Sequence, residues 1–349
     1  MSGGGRVSIC LPVLNTAAFL PERLASIAGQ TVGDWELVCV DGCSGDGSWE
    51  LLQGAAARDP RFHLRQEPPL GIYAGLNACL EQARGEYVYI ATSDDTMAPD
   101  CLAKLVAALE QRPGADVAVC GFQPIDAQSR PIDWPPSEAA QFLGPWAGTR
   151  SVRSGPTEFL LHAVFGTVWF TLTSVLFRRR ILEKTGLFPT DMGSRGDEEW
   201  VLRAALASDL VYLPERLATW RVHGSQATPS VTDRKGYWRV LRMLRRVLRD
   251  PNAGIPAAWQ RVPHWQREIE AMRVARYRFH LRMSRWDIKT QPRRFLGAVC
   301  EAAVRDPQWF VACARRRFVP PEAVAVNPIE EAGRVIRLFG AQWPPRREG

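Results

Sequence analysis

The sequence contains few of the residues that build metal or redox centres. Among its 349 residues are five histidines and eight cysteines, the cysteines at positions 10, 39, 43, 79, 101, 120, 300 and 313. No CxxC pair and no His/Cys cluster with zinc spacing occurs, which argues against zinc-finger and dithiol redox proteins. Most cysteines lie in apolar runs such as VSICLPV (7–13), which predicts small buried side chains in a reducing cytoplasm.

Several enzyme signatures are absent as well. The chain has no P-loop, no glycine fingerprint of a nucleotide-dependent dehydrogenase and no Ser-His-Asp order. Chemistry that depends on those motifs is therefore not indicated.

Long apolar runs are also missing. The longest, residues 163–177 (AVFGTVWFTLTSVLF), has fifteen residues and contains Gly, Thr and Ser, whereas a membrane-spanning helix needs about 20 apolar residues. The first residues, MSGGGRVSICLPVLN, show no charged region followed by a long apolar stretch, so no signal peptide is expected. These features predict a cytoplasmic protein, and an association with the inner face of the membrane stays open.

The first third of the chain alternates short apolar strands with helical patterns. Strand-like runs are VSICLPVL (7–14), ELVCV (36–40), EYVYIATS (86–93) and DVAVCGF (116–122). This alternation predicts an α/β fold with a mostly parallel sheet and helices on both faces. Ligands of such sheets bind outside the carboxyl ends of the strands, and Asp41 and the pair Asp94 and Asp95 lie there.

The pattern changes twice further along the chain. Residues 123–155 are rich in Pro, Gly, Ser and Trp and predict a long irregular connection. Regular patterns then resume with strands at 171–179, 209–215 and 217–223, and with a loop at 188–200 that leads into a helix at 201–208. From about residue 234 the chain becomes basic, helical and Trp-containing, without strand alternation, which places a boundary near 230.

The excess charge of +7 lies almost entirely in this last third, in clusters such as 242–249 and 315–317. A basic helical region with aromatic residues suits an anionic membrane, a phosphorylated substrate, nucleic acid or simply solvent. Peripheral membrane contact and a homodimer interface remain open as its role. Nucleic-acid binding rests on charge alone and gives no account of the first hundred residues, so no nucleic-acid partner is expected.

Three stretches of the sequence occur in an informative order. They are VSICLPVLN (7–15), LVCVDGCSGDGS (37–48) and GIYAGLNACLEQARGEYVYIATSDD (71–95), and a further stretch follows at 194–228, SRGDEEWVLRAALASDLVYLPERLATWRVHGSQAT. Together they resemble the family 2 glycosyltransferases of the GT-A fold. The resemblance implies an inverting, nucleotide-sugar-dependent enzyme. It also implies a nucleotide-sugar-binding half at 1–122 and an acceptor and catalytic half at 123–230. The change in composition adds a basic, Trp-containing helical C-terminal region at 231–349.

The same resemblance implies the residues that handle the donor. Asp41 corresponds to the carboxylate that recognises the nucleotide base. The further donor-binding candidates are Pro12, Asn15, Gly71, Asn77 and Asp94. Asp46 lies in the matching turn, where forming the turn is an equal alternative.

A divalent cation, Mn²⁺ or Mg²⁺, is the cofactor that the resemblance implies. Hard oxygen ligands suit these ions, and a bound cation explains why adjacent carboxylates are tolerated. The candidate ligands are Asp95 first, then Asp94 and His223, although His223 also fits a hydrogen bond in the core. Arg221 is a further candidate for pairing with the diphosphate.

Two positions depart from the family pattern. Gly42 replaces the second aspartate of a "VDD" doublet, which weakens base recognition through that position. Thr92 stands where Asp or Asn is frequent ahead of "SDD", which leaves a motif of two carboxylates.

Three adjacent acids compete for the role of general base. Alignment on Arg203 selects Asp197, whereas alignment on Trp200 selects Glu199. Asp197 is favoured and Glu198 comes second, while an acidic helix start, without catalysis, also explains all three.

The expected reaction is a single displacement in which Asp197 deprotonates an acceptor hydroxyl. The expected partners are a nucleotide-sugar, most simply a UDP-sugar, and a glycan, lipid-linked or other hydroxyl acceptor in bacterial polysaccharide, lipopolysaccharide or other glycoconjugate synthesis. The alternative is a catalytically silent nucleotide-sugar-binding or scaffold protein on the same fold. The sequence does not identify the sugar, the acceptor or the linkage.

Overall fold

The computed structural model describes residues 6–166, 168–169, 171–224, 234–273 and 327–347. The strands are β1 Val7–Val13, β2 Trp35–Asp41, β3 Phe62–Gln66, β4 Tyr87–Ile90, β5 Ala115–Ile125, β6 Ser151–Arg153, β7 Val175–Arg178, β8 Asp209–Arg221 and β9 Arg346–Arg347. The helices are α1 Leu20–Ala28, α2 Ser48–Ala56, α3 Ile72–Gln82, α4 Cys101–Glu110, α5 Glu138–Leu143, α6 Gly155–Phe165, α7 Leu182–Thr185, α8 Gly196–Ala207, α9 Arg234–Arg249, α10 Ala257–Gln260, α11 (residues 265–273) and α12 Pro328–Leu338.

The strands form one sheet in the order β3-β2-β1-β4-β7-β5-β8-β6-β9. Strand β1 runs parallel to β2 and β4, β2 parallel to β3, and β5 parallel to β8. Strand β7 is antiparallel to both β4 and β5, so β4 and β5 point the same way. The carboxyl ends of β1, β2, β4, β5 and β8 therefore meet at one edge of the sheet, where ligands of α/β proteins bind.

Alternate residues of β1 show that both faces of the sheet are covered. Ile9 and Leu11 pack into a core with α1 and α4, whereas Cys10 packs into a second core that includes residues of α3 and α8. Strands that are buried on both faces read as continuous apolar runs, and β1 and β2 do. The predicted α/β fold with helices on both faces is confirmed.

The predicted irregular segment 123–155 contains more structure than its composition suggested. Strand β5 extends to Ile125, and α5, a 3₁₀ helix at Gly144–Gly148 and strand β6 follow. Ser137 caps α5 by accepting a hydrogen bond from the backbone N–H of Ala140. The Pro and Gly content concealed these short elements because their regularity spans too few residues to form a pattern.

The two strands predicted at 209–215 and 217–223 form the single strand β8. Its pairing with β5 steps from Cys120–Leu213 to Gly121–Arg216, so Pro214 and Glu215 bulge out of the ladder. A bulge tolerates proline, which has no N–H to donate. Pro214 is thus accommodated inside one strand.

The loop predicted at 188–200 is helical at its end. Helix α8 begins at Gly196, five residues before the predicted start, and its first turn contains the three acids 197–199. Negative charges are favourable in the first turn of a helix because they face the positive end of its dipole.

The described part of the C-terminal region shares a core with the preceding segment. Leu244 and Val247 of α9, Val335 of α12 and Phe159 of α6 are buried together, and β9 pairs with β6 at the sheet edge. The boundary at 122 falls inside β5. The division into three regions stays a prediction.

Four arginines of α9 have exposed side chains. Arg242, Arg245, Arg246 and Arg249 are exposed, which is the arrangement that the predicted membrane contact or dimer interface requires; both stay predictions. The second basic cluster, 315–317, lies outside the described residues. No helix in the described part of the chain is long and apolar enough to cross a membrane.

Candidate active site

The turn after β2 is organised around Asp41. This fully buried carboxylate accepts hydrogen bonds from the backbone N–H and the hydroxyl of Ser44, at 2.9 and 2.5 Å, and from Nε2 of Gln66 at 2.9 Å. Both carboxylate oxygens thus have partners within the protein. Its predicted recognition of a nucleotide base stays a prediction, and the structure gives it a second task, the shaping of the turn.

Asn15 and Asp46 tie this turn to the loop after β1. Asn15 Oδ1 accepts from the backbone N–H of Gly45 at 2.9 Å, and Asp46 accepts from the backbone N–H groups of Ala17 and Ser48 at 2.9 and 3.1 Å. Burial opposes the effect, but these bonds and that of the Ser48 hydroxyl hold the pKa of Asp46 below its usual value. Asp46 therefore forms the turn, which is one of the two roles that the sequence allows for it.

The start of α3 lies at the same edge. Gly71 precedes α3 with φ of 106°, a conformation that strains residues with a side chain. A Cβ added at Gly75 would lie 3.4 Å from Cβ of Pro12, so α3 packs directly on β1. Asn77 donates to the carbonyl of Phe188 at 2.8 Å and accepts from its N–H at 3.0 Å. The amide of Asn77 therefore holds the segment before α8, and its predicted contact with the donor is untested.

Asp95 lies buried beneath the surface of the site. Its Oδ2 accepts from the hydroxyls of Thr92 and Thr173, at 2.5 and 3.1 Å, and its Oδ1 accepts from the backbone N–H of Arg221 at 2.7 Å. Burial and the neighbouring charge of Asp94 raise the pKa of Asp95 to about 6. Thr92, the departure from the family pattern, is thus one of the groups that hold Asp95.

Asp94 is more open than Asp95. The side chain of Asp94 is 25% exposed, whereas Asp95 is 2% exposed over the whole residue. Its Oδ2 lies 3.0 Å from Nε2 of His223, whose ring packs 4.6 Å from that of Phe19. Asp94 and His223 are therefore the pair of candidate metal ligands that the fold brings together.

This pair fits a hard divalent cation in part. Among the described residues, no group of three or more His, Cys, Asp or Glu side chains is arranged to hold a metal ion. Mg²⁺ is commonly bound by one or two carboxylates together with substrate phosphates and water, and imidazole is an accepted ligand for transition metals. The open carboxylate of Asp94 and the imidazole of His223 match that donor set, with Asp95 held behind them.

Arg221 is a buried residue at the end of β8 that hydrogen-bonds to several parts of the chain. Its guanidinium donates to the carbonyls of Asp94 and Asp126, at 2.6 and 3.2 Å, to the hydroxyl of Ser129 at 2.8 Å and to the carboxylate of Glu22 at 2.7 Å. All its nitrogens have acceptors within the protein. The predicted contact with a diphosphate has no support in this geometry, which instead fixes the backbone that bears Asp94.

Glu199, the acid selected by alignment on Trp200, is buried and paired. It accepts from Nε and Nη2 of Arg203, at 3.2 and 3.0 Å, and from Nε of Arg246 at 2.9 Å. Because Arg246 belongs to α9, this carboxylate links α8 to the C-terminal region. Its contacts indicate a structural role.

Glu198 is also held between two arginines. Its Oε1 accepts from Arg195, and its Oε2 lies 3.4 Å from Nη2 of Arg273. Both oxygens of this carboxylate therefore have an arginine partner in the described structure.

Asp197 has no arginine partner among the described contacts. Its Oδ1 accepts from the backbone N–H of Glu198 at 3.0 Å, and the hydroxyl of Tyr73 lies within hydrogen-bonding reach. Burial, and then the charge of Glu198, raise the pKa of Asp197 to about 6. A carboxylate with a pKa near neutrality is suited to take up a proton.

Comparison with known proteins identifies the family. The sequence profile of the family described as Glycosyl transferase family 2 matches residues 8–186, more than half of the chain. The chain belongs to glycosyltransferase family 2. It is therefore a transferase, and the resemblance inferred from the motifs is confirmed.

Two similar curated relatives of this family 2 chain are named as uncharacterised. "Uncharacterized protein MT1568" of Mycobacterium tuberculosis is 28% identical over 249 residues, 70% of this chain and 76% of that protein. "Uncharacterized glycosyltransferase EpsJ" of Bacillus subtilis is 27% identical over 224 residues, 64% of this chain and 62% of that protein. The chain thus spans less than two thirds of the length of EpsJ.

Solved structures confirm the GT-A fold. Staphylococcus aureus TarS 1–349, crystallised with UDP-GlcNAc, superposes with a TM-score of 0.61 at 17% identity over 99% of both chains. The mannosyltransferase PcManGT of Pyrobaculum calidifontis, in complex with GDP-Man and Mn²⁺, gives a TM-score of 0.52 at 20% identity over 98% of this chain and 89% of that chain. At these identities the likeness concerns the fold.

Sequence reasoning missed several members of the site. Thr173 holds Asp95, Arg195 and Arg273 hold Glu198, and Tyr73 reaches Asp197. Tyr73 lies inside the quoted motif GIYAGLN (71–77), so its position was available as a signal. For Thr173, Arg195 and Arg273, no sequence motif indicates a partner.

Proposed function

We propose that this glycosyltransferase inverts the anomeric centre while it moves a sugar from a nucleoside-diphosphate sugar, a UDP-sugar first among the candidates, to an acceptor hydroxyl. The acceptor is a glycan or a lipid-linked sugar in bacterial polysaccharide or other glycoconjugate synthesis. The observation that carries the proposal is the state of Asp197: of the three acids at the start of α8, it alone lacks an arginine partner in the described structure.

Asp197 is the general base in this proposal. It takes the proton of the acceptor hydroxyl as that oxygen attacks the anomeric carbon, and the bond to the diphosphate breaks on the opposite side. A base is effective when its pKa lies near the working pH, and the pKa of about 6 supports this role. A positioned general base typically accelerates a reaction by about 10²- to 10⁴-fold.

In this proposal, residues that follow β4 and β8 hold the diphosphate leaving group. Asp94 and His223 would hold a divalent cation, which neutralises the charge of the departing diphosphate when it is bound. Asp95 lies behind them and fixes the backbone of Arg221 and the loop at 92–95. The Mn²⁺ in the PcManGT complex supports a divalent cation here, and the pairing of Asp94 with His223 supports Asp94, ahead of Asp95, as the direct ligand.

A catalytically silent relative is the alternative, since the same fold could bind a nucleotide-sugar without transferring it. A silent relative has no need of an open carboxylate at the start of α8 or of the acid pair after β4. Both are present, and burial raises the pKa of Asp197 to about 6, close to a working pH. These observations favour the enzyme.

The test is a panel of UDP-, GDP- and dTDP-sugars, measured for binding and slow hydrolysis with and without Mn²⁺ or Mg²⁺. We expect one nucleotide class, led by UDP, to bind in a cation-dependent manner. Asp197→Asn should bind the same donor with unchanged Kd and lose transfer by about 10³-fold.

Asp191→Asn is the matched control, since this exposed aspartate precedes α8 and pairs with Arg246. It should leave both donor binding and transfer unchanged. Normal transfer by Asp197→Asn would contradict the assignment of the base, and binding of no nucleotide-sugar would contradict the proposed reaction.

A further inference from the structure

Tyr73 lies between two helix starts that face each other across the site. It belongs to the first turn of α3, and only 5% of its surface is exposed. Its hydroxyl donates to the backbone carbonyl of Ser194 at 3.1 Å and is also within hydrogen-bonding reach of the Asp197 carboxylate. The phenol is thus hydrogen-bonded to the last residues before α8 and also interacts with the proposed base.

The contact of Tyr73 with α8 is unusually close. A Cβ added at Gly196 would lie 2.7 Å from Cδ2 of Tyr73 and 2.3 Å from the carbonyl oxygen of Pro189. Only glycine fits between the ring and that carbonyl, so α8 begins directly against the ring of Tyr73. The residue after this contact is Asp197.

A column of rings fixes the orientation of Tyr73. Its ring stacks on that of Phe188 with 5.9 Å between centroids and 5° between planes, and Phe188 stacks on Trp200 at 4.7 Å and 19°. Asn77 clamps the backbone of Phe188 through both of its N–H and C=O groups. The phenol therefore has little freedom to turn away from the first turn of α8.

We propose that Tyr73 is a positioning residue for the general base: its hydroxyl fixes the Asp197 carboxylate toward the acceptor and stabilises its ionised form. This inference rests on the proposed role of Asp197. It also gives Asn77 and Gly196 a task, because the first locks the ring column and the second lets α8 approach it.

The charges around Asp197 leave Tyr73 as its main side-chain donor. Glu198 raises the pKa of Asp197 and the hydrogen bond from Tyr73 lowers it. The other charged groups near the start of α8 pair with one another: Arg195 and Arg273 with Glu198, and Arg203, Arg246 and Asp191 in the network around Glu199.

The experiment compares the pH dependence of kcat/KM for the wild-type enzyme and Tyr73→Phe, which keeps the ring and removes the hydroxyl. Loss of a donor to a carboxylate raises its pKa, here by about one unit. Since the ionised fraction of a base falls below its pKa, kcat/KM of Tyr73→Phe should drop about fivefold at pH 6 and barely change at pH 8.

Tyr212→Phe is the matched control. Its hydroxyl also donates to a backbone carbonyl, that of Ala147 at 2.9 Å, and it has no part in the proposed site. Its profile should match that of the wild-type enzyme. Thermal unfolding of both variants checks that each is folded.

The outcomes separate this inference from the proposed function. An equal loss of kcat/KM at every pH, or an unchanged profile, would overturn the positioning role while Asp197→Asn still abolishes transfer. Normal transfer by Asp197→Asn would instead remove the base assignment on which the inference depends.

Discussion

Two acidic clusters lie at the proposed site, and the protein treats their members differently. The donor cluster, Asp94 and Asp95, follows β4, and the base cluster, residues 197–199, opens α8. In each, one carboxylate, called open here, has no threonine or arginine side chain among its described partners, whereas its neighbours do. Asp95 accepts from two threonines and a backbone N–H, and Glu198 and Glu199 pair with arginines.

The open member comes first along the chain in both clusters. Asp94 has a His partner and an exposed edge, and Asp197 has Tyr73 and a backbone N–H. Adjacent acids of similar chemistry thus acquire different roles from what reaches them in the fold. The comparison predicts that substitutions of open members change function directly, whereas those of paired members change stability or the pKa of the open neighbour.

Asp94→Asn should produce the largest effect on donor binding. Loss of the open carboxylate should weaken cation-dependent donor binding by about a hundredfold, measured by titrating Mn²⁺ at fixed nucleotide-sugar. The free energy of unfolding should change little because a quarter of the side chain is exposed.

Asp95→Asn is the contrasting variant for this experiment. It should lower the free energy of unfolding, since a buried acceptor of three hydrogen bonds is altered. Loss of the cation requirement in Asp95→Asn, with normal binding by Asp94→Asn, would restore Asp95 as the direct ligand and break the comparison.

The contacts of the donor-side turn were within reach of sequence reasoning because they are local. Asp41 binds Ser44, three residues away, in a Gly-rich turn whose residue types imply such bonds. The strand alternation likewise predicted β1 to β5 and the edge where the acids lie. The family motifs then placed both acidic clusters in order.

The division of labour within each cluster could not be predicted in this way. Arg246 reaches Glu199 from 47 residues away, and the backbone N–H of Arg221 reaches Asp95 from 126 residues away. Alignment on Trp200 and alignment on Arg203 give different bases because neither includes these partners. Tertiary packing alone decides which acid is paired, and the spacing of residues along the sequence does not specify that packing.

Glu199→Gln should have the next largest effect, which is a loss of stability. Its carboxylate is almost fully buried, while Arg203 and Arg246 are 20% and 40% exposed. Removing the charge should lower the free energy of unfolding by about 2 kcal/mol, a value reduced for solvent screening of the arginines. Chemical denaturation measures it.

Glu270→Gln is the control for that experiment, because Glu270 also pairs with an arginine of α9, the exposed Arg245. Because 46% of the Arg245 side chain and 18% of the Glu270 side chain are exposed, solvent screens this pair more than the Glu199 pair, and it should contribute less than about 1 kcal/mol. The pH dependence of transfer should be unchanged in both variants. A stable Glu199→Gln protein that no longer transfers sugar would move the base to Glu199 and favour the alignment on Trp200.

Glu198→Gln should produce the smallest effect and one opposite in sign to that of Tyr73→Phe. The negative charge of Glu198 raises the pKa of Asp197, so its removal should lower that pKa by about half a unit. Because the base must be ionised, kcat/KM should fall off at a lower pH than in the wild-type enzyme and rise slightly at pH 5.5. Full pH profiles of the wild-type enzyme and both variants measure the two shifts. If Glu198→Gln instead abolishes transfer at every pH while the protein stays folded, the base is Glu198, and pairing with arginines does not mark the silent members of the cluster.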